Sequence, residues 1–420
     1  MLSALVNAFR VKEIRKKIIF VLLMMAVYRL GAFIPVPNID VEIIKKILFQ
    51  GDGTGIFEFM DMFAGGALSN FTVFAMSITP YITASIIIQL LGGVVPYFEE
   101  LQKQGPEGRK KLTQYTRYGT IILALIQATG TTLGIREAVI EPGFFNLLLI
   151  IISLTAGTAF LMWLGEQITE KGIGNGISII IFTSILSRFP YDIKNIYNYL
   201  VQGTINFFNV GLFLILAVII IIGIVFIEQG ERRIPIQYSR SIKGRRVYGG
   251  RSTHIPLRIN QAGVIPVIFA SSLLMFPAVI GRFIPVAFIQ KIAGWLEPGM
   301  PVYLITYSVL IFFFTYFWTA FTFNPEDVAE NMQKYGGFIP GIRPGKATVK
   351  YLEKVLVRVT LFGALFLTVI ALLPFLVTAV TKVSINFGGT SLLIMTGVAL
   401  QTMQQIESQL LLRHYEGFMK

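Results

Sequence analysis

Long stretches of this chain lack Asp, Glu, Lys and Arg altogether. A helix that crosses a hydrocarbon core about 30 Å thick needs about 20 predominantly apolar residues. Read by that length, the chain offers about ten crossings: 17–34, 62–98, 118–135, 142–165, 172–187, 195–227, 259–281, 298–325, 359–381 and 383–406. The pattern therefore predicts a polytopic all-α protein. The first run precedes nine others and reads as an anchor, not a cleaved leader. Arg29 interrupts it near its outer end and reads as a side chain that snorkels its charge into the interface.

Three runs do not fit one straight helix. The run 62–98 would be roughly 55 Å long if helical throughout, well beyond the core thickness. Its excess lies at 57–70, where Gly65, Gly66 and Ser69 weaken the helix, and the better span starts at Phe71. The excess either lies on the outer leaflet or folds back into the bundle as a short helix, and the residues leave both open. The run 195–227 opens with Tyr, Asn and Gln and reads as an interfacial stretch before a span near 211–227. The run 172–187 is short and opens on Gly172-Ile173-Gly174-Asn175-Gly176, the kind of glycine-broken span that often lines a functional cavity.

Composition agrees with the runs. Of 420 residues, 54% are hydrophobic and 14% charged, against about 25% charged in soluble domains. One core cannot hide that much apolar surface. The absence of Cys and the presence of two His exclude thiol redox chemistry, disulfide scaffolds and His/Cys zinc sites. The net charge is +13, and its distribution orients the spans. Assigned loop by loop, 27 basic residues fall on one face and eight on the other, while acidic residues divide 14 and nine. The positive-inside rule then makes the first face, with both termini, cytoplasmic.

The spans carry little chemistry. Transporters and proton pumps place ionisable groups at mid-membrane, and intramembrane proteases need paired acids or a Ser–His set; these runs have neither. His254 and His414 fall in a loop and the tail. Gly341-Ile342-Arg343-Pro344-Gly345-Lys346-Ala347 resembles a phosphate-binding loop only faintly. Its glycine spacing is one short, Ala347 stands where a magnesium-holding hydroxyl belongs, and Pro344 lacks an N–H. No catalytic residue, metal or cofactor is expected, and any energy source is external.

Charge instead gathers in two loops on the basic face. The first has eight Lys and Arg from Arg232 to Arg258; apolar and polar residues alternate through 234–238 and glycines follow, which predicts a hairpin-like projection. Interleaved Arg and Tyr there suit phosphates or an acidic protein surface. The second has six from Lys334 to Arg358, with Gly336-Gly337, Pro340-Gly341 and Pro344-Gly345 imposing turns that present Arg343. An Arg fixed on a turn can make bidentate contacts to carboxylate or phosphate.

Several local sequences together resemble one family. They are Phe63-Ala64-Gly65-Gly66-Ala67-Leu68-Ser69, Pro80-Tyr81-Ile82-Thr83-Ala84-Ser85-Ile86-Ile87-Ile88-Gln89-Leu90, Gln114-Tyr115-Thr116-Arg117-Tyr118-Gly119, and Trp163-Leu164-Gly165-Glu166-Gln167-Ile168-Thr169 running on to Gly172-Ile173-Gly174-Asn175-Gly176-Ile177-Ser178. Later come Gly263-Val264-Ile265-Pro266, Pro340-Gly341-Ile342-Arg343-Pro344-Gly345 and Gly388-Gly389-Thr390-Ser391-Leu392-Leu393-Ile394. In order and placement they resemble the SecY family, the main subunit of the bacterial protein-conducting channel, along essentially the whole chain.

That resemblance implies ten transmembrane helices in two pseudo-symmetric halves of five, 1–190 and 191–420, closed like a clamshell around a pore, with cytoplasmic loops at about 228–258 and 326–358. It implies a channel for unfolded secretory chains that also releases membrane helices sideways into lipid of the bacterial plasma membrane. Segment 57–70, with Phe63, Ala64, Gly65, Gly66, Ala67 and Leu68, would be a plug folded back into the pore. Ile78, Ile82, Ile177, Ile181, Ile268 and Ile394 would form the constriction, and Gln89, Gln127 and Asn260 would line a lateral gate. The implied partners are the small subunits SecE and SecG, the motor ATPase SecA, the ribosome and signal peptides. Arg343, Pro344 and Gly345 match the motor-coupling turn; Arg245 and Arg246 match a pair facing ribosomal RNA. Without the resemblance, a small-solute transporter is the rival reading, and a pore-less RNA-docking scaffold a third.

Overall fold

The computed structural model describes residues 8–49, 54–203, 205–238, 241–243, 246–248, 252–283, 291, 294–297, 299–381 and 389–418. In chain order the elements are α1 (Lys12–Gly31), α2 (Val41–Phe49), α3 (Thr54–Ala64), α4 (Thr79–Val94), α5 (Pro96–Lys103), α6 (Pro106–Gly134), α7 (Phe144–Lys171), α8 (Gly176–Val201) and α9 (Phe207–Gln229). Then come β1 (Glu231–Tyr238), β2 (Ser241–Lys243), β3 (Arg246–Tyr248), β4 (Ser252–Arg258), α10 (Ile265–Phe283), α11 (Pro301–Thr322), α12 (Pro325–Lys334), β5 (Gly337–Phe338), α13 (Lys346–Thr381) and α14 (Gly389–Phe418).

Among the described residues, five helices are long and apolar enough to cross a membrane: α7, α8, α9, α11 run on with α12, and α13. The bent pair α4–α5, turned by 97° at Val95, would make a sixth. Helices α1, α6, α10 and α14 coincide with the other runs but fall short of that measure. The exposed face of α9 is apolar from Phe207 to Phe226, with Ile220, Ile224 and Glu228 its buried residues. A helix apolar all round belongs against lipid or another apolar surface.

Two boundaries differ from the sequence reading. The second span starts at Thr79, not at Phe71. Phe71 and Ser77 have positive φ, 61–78 is turned rather than helical beyond Ala64, and Pro80 stands in the first turn of α4. The turned backbone is satisfied instead by the chain leaving α1: Val36 N–H donates to the Phe71 carbonyl at 3.1 Å and Val73 N–H to Ile34 at 3.0 Å. The polar stretch after 195 continues α8 to Val201 and does not lead into the next span. Pro190 forfeits one helical hydrogen bond, but Ile179, Ile180, Ile181 and Ile185 bury that helix's first half and hold it.

Close backbone approach fixes the turned segment. A Cβ on Gly157 of α7 would lie 1.9 Å from the Val73 carbonyl oxygen, so α7 touches that segment backbone to side. Gly157→Val is expected to force the two apart and destabilise by about 1–3 kcal/mol; the thermal unfolding midpoint of the detergent-purified protein measures it.

The two basic loops form one body. β1 pairs antiparallel with β4, Ile234 opposite Ile255, and with β5, Gln237 opposite Phe338. Ile234, Ile236, Leu257, Ala329, Met332, Ile339 and Leu352 make a separate small core under this sheet. The hairpin expected at 234–238 is present, and the second loop completes its sheet.

Candidate functional site

The isoleucines converge from four helices. Ile78 is the residue before α4 and Ile82 lies one turn on, its N–H donating to the Ile78 carbonyl at 3.1 Å. Ile177 and Ile181 stand one turn apart at the start of α8, where the Asn175 side chain accepts the Ile177 N–H at 3.0 Å and caps the helix. Ile268 comes from α10 and Ile394 from α14. Ile78, Ile82, Ile181, Ile268 and Ile394 are at most 6% exposed and share one hydrophobic cluster, with half-buried Ile177 packed against it. That cluster runs through the whole helical bundle, and within it β-branched side chains are stiff at χ1.

A cavity of about 360 Å³ is lined by Ile82, Ile177 and Ile268 together with Ser85, Gln89, Phe269 and Trp318. Its wall also holds a two-pronged ion pair: Arg117 Nε donates to Glu166 Oε1 at 2.8 Å, and Nη2 lies 2.8 Å from Oε2.

Helix α3 packs on α8 and α10. The helix ends at Ala64, earlier than segment 57–70 would allow, because Gly65 and Gly66 adopt positive φ. Phe63, Ala64, Ala67 and Leu68 are buried in the large core that also holds the isoleucines. Tyr28 Oη donates to the Ala64 carbonyl at 3.1 Å and lies 2.6 Å from Ser184 Oγ. Arg29 donates to the Gly65 carbonyl at 3.0 Å and to Ser187 Oγ at 2.9 Å, its guanidinium stacking 5.1 Å from the Phe33 ring centre. Arg29 thus binds the chain after α3; it does not simply snorkel. Its donors find carbonyls that the glycine turn frees, a partner no local pattern announces.

The three polar candidates stand apart. Gln89 Nε2 donates to Ser85 Oγ at 3.0 Å on its own helix, and its buried Oε1 has no protein partner. Gln127 is half-buried on α6. Asn260 Nδ2 donates to Glu228 Oε1 at 2.7 Å and to the Gly263 carbonyl at 3.0 Å, tying the end of α9 to the entrance of α10. Helix α10 packs on both α4 and α6. Sequence reasoning does not single out Glu228, Tyr28, Asp61, Ser184 or Arg188. For Asp61, Arg188 and Glu228 the signal was a charged residue at the edge of an apolar run, which by itself marks only an interface; Tyr28 and Ser184 lie within runs and carried none.

At the projecting sheet, Arg343 and Pro344 are exposed between Gly341 and Gly345, both at positive φ, and Thr348 Oγ1 pins the turn by donating to the Arg343 carbonyl at 3.0 Å. Arg246 begins β3, and Arg245 lies outside the described residues.

Comparison with known proteins follows the same geometry. The family model SecY matches residues 72–403. The protein translocase subunit SecY of Thermotoga maritima is 47% identical over 430 residues, covering 100% of this chain and 98% of its own. That of Escherichia coli K12 is 46% identical over 418 residues, covering 97% and 94%. Among solved structures, one described as a protein conducting channel superposes with TM-score 0.67 at 21% identity, covering 93% of this chain and 91% of the other. Sec61 in a canine ribosome-channel complex superposes with TM-score 0.62 at 19% identity, again covering 93% and 91%. With a family model matching most of its length and full-length relatives near half identical, the chain belongs to the SecY family.

Proposed function

We propose that the chain is the pore subunit of a channel for unfolded polypeptides, with the isoleucine collar as its constriction and α3 as the plug seated beneath it. The observation that carries this reading is a cavity lined by Ile82, Ile177 and Ile268 from three helices, beside an α3 whose Phe63 and Ala64 are buried in the same core as five of the six isoleucines. An apolar, stiff ring resists wetting and closes around an extended chain without binding it. The arrangement with α3 in place is the sealed one.

The reading extends to the rest of the molecule. Ten helices cross the membrane as two halves, 1–190 and 191–420, and the seam where α10 meets α4 and α6 opens to lipid, with Gln89, Gln127 and Asn260 nearby. Both termini and the sheet-bearing projection face the cytoplasm of a bacterial cell. The projection docks the partner that supplies force, SecA through Arg343, Pro344 and Gly345 or the ribosome through Arg245 and Arg246, and SecE and SecG accompany the chain. One related structure is a ribosome-channel complex, which supports the ribosome as a partner. The protein's part is passive: no bond is made or broken in it.

Reconstitution tests the reading. The purified complex in vesicles, supplied with motor and ATP, is expected to carry a secretory precursor to a protease-protected interior. Uptake of a small solute with no movement of polypeptide would overturn it.

A further inference from the structure

Asp61 lies in the last turn of α3 and is 1% exposed, among the buried apolar side chains of Met60, Met62, Phe63 and Ala64. A carboxylate that loses its water persists only where hydrogen bonds and an opposite charge replace that water. Both are present. Oδ1 accepts the N–H of Leu68 at 3.0 Å and of Ser69 at 2.9 Å, closing the turn that follows Gly66. Oδ2 accepts from the guanidinium of Arg188 on α8, whose side chain is 12% exposed and whose Nε has no partner among the described residues. The other groups facing that guanidinium are the Tyr191 ring, 5.9 Å away, and the buried carboxyl of Asp192.

The contacts of α3 are unequal on its two sides. Towards α1 and α8 it is held by this ion pair and by Tyr28, Arg29 and Ser187 on its last carbonyls. Towards α14 the polar contact is the softer one between Ser391 Oγ and Met62 Sδ, 2.8 Å apart. Apolar contact is non-directional and tolerates sliding; a buried ion pair with fixed geometry does not.

We propose that Asp61 and Arg188 form the latch that holds α3 in its seat against α8. The proposal rests on the channel reading above, in which α3 is a movable plug, and adds the bond that fixes its closed position. The pair is suited to release. A buried ion pair is close to balanced against two hydrated charges, because its mutual attraction roughly offsets lost hydration. Displacing α3 into a wet pore therefore returns both ions to water at small net cost. Removing one partner is different: it strands a single charge in the dry seat and drives α3 out.

The chain has no Cys, so Met62→Cys with Ser391→Cys gives a single oxidisable pair that reports a seated α3. Asp61→Asn keeps an amide oxygen for the Leu68 and Ser69 N–H groups and removes the charge; Arg188→Gln removes the other. In the reconstituted full complex, at equal membrane-integrated protein, each single variant is expected to raise resting ion conductance by about tenfold or more and to lower the cross-link yield. Arg188→Lys restores both. The double variant Asp61→Asn/Arg188→Gln strands no charge and lies closer to the native protein than Arg188→Gln alone, the non-additivity of a direct pair. Native conductance and cross-linking in both single variants, or strictly additive effects in the double, would overturn the latch. A chain lacking 54–67 separates the two readings. If it leaks while the latch variants do not, the latch alone falls; if it too stays silent, the plug role of α3 falls and the latch with it.

Discussion

Glycine at both Ile82 and Ile181 is expected to make the resting protein leak ions, with conductance at least about tenfold above the native level. The two side chains come from different helices, α4 and α8, and both are nearly inaccessible. Cutting back a buried Ile, Leu or Met costs about 2–5 kcal/mol each through lost burial and the cavity left behind. A barrier lowered by only about 1.4 kcal/mol already passes roughly tenfold more current. The opening would also admit water to a site whose seal depends on staying dry. Planar-bilayer recording of the purified complex measures the effect, and unchanged conductance would remove these residues from the constriction. Helix α3 remains seated beneath, so the double variant should leak less than the same variant also lacking 54–67.

Arg343→Glu should abolish most motor-driven transport, by about tenfold or more, since losing one member of a docked charge pair costs about 2–5 kcal/mol and reversal adds repulsion. The side chain is exposed on a turn fixed by Gly341, Gly345 and the Thr348 hydroxyl, so its own fold has little to lose. Membrane insertion of the protein should be unaffected. Arg343→Lys should recover only part of the activity, because a point charge cannot reproduce a planar two-pronged contact. ATP-driven import of a precursor into vesicles distinguishes these outcomes, and normal import by the Glu variant would exclude the turn from coupling.

The legibility of these features in the sequence follows their range. Apolar runs are local, and the helices fall on them. The cap at Asn175 is legible for the same reason, a short polar side chain just before an apolar helix. The strand at 231–238 announced itself by alternation. The start of α4 did not, because the turned segment before it is held at Phe71 and Val73 by the chain after α1 and at Ser77 by the Phe63 carbonyl, partners distant in sequence. Nor did composition distinguish these isoleucines from those facing lipid; the family resemblance selected them, and the structure buries five of the six in the core of the bundle.

Asn260 shows a further limit. A polar residue at the edge of a span reads equally as a gate or as glue between helices, and the coordinates give it Glu228, across the whole first basic loop. The two basic loops read as separate projections until β5 joined β1 and a shared core of Ile234, Met332 and Leu352 made them one body.

By itself, then, the sequence determined that lipid is much of this chain's solvent: run length against bilayer thickness picks out the apolar helices, and the count of Lys and Arg per loop shows that the charge gathers in a few loops. These are sums over neighbours along the chain. The tertiary structure alone decided the pairings of Arg29 with the Gly65 carbonyl and of Asp61 with Arg188. Charge at the edge of an apolar run has no partner written beside it; which opposite group relieves its lost hydration depends on how helices far apart in sequence are packed.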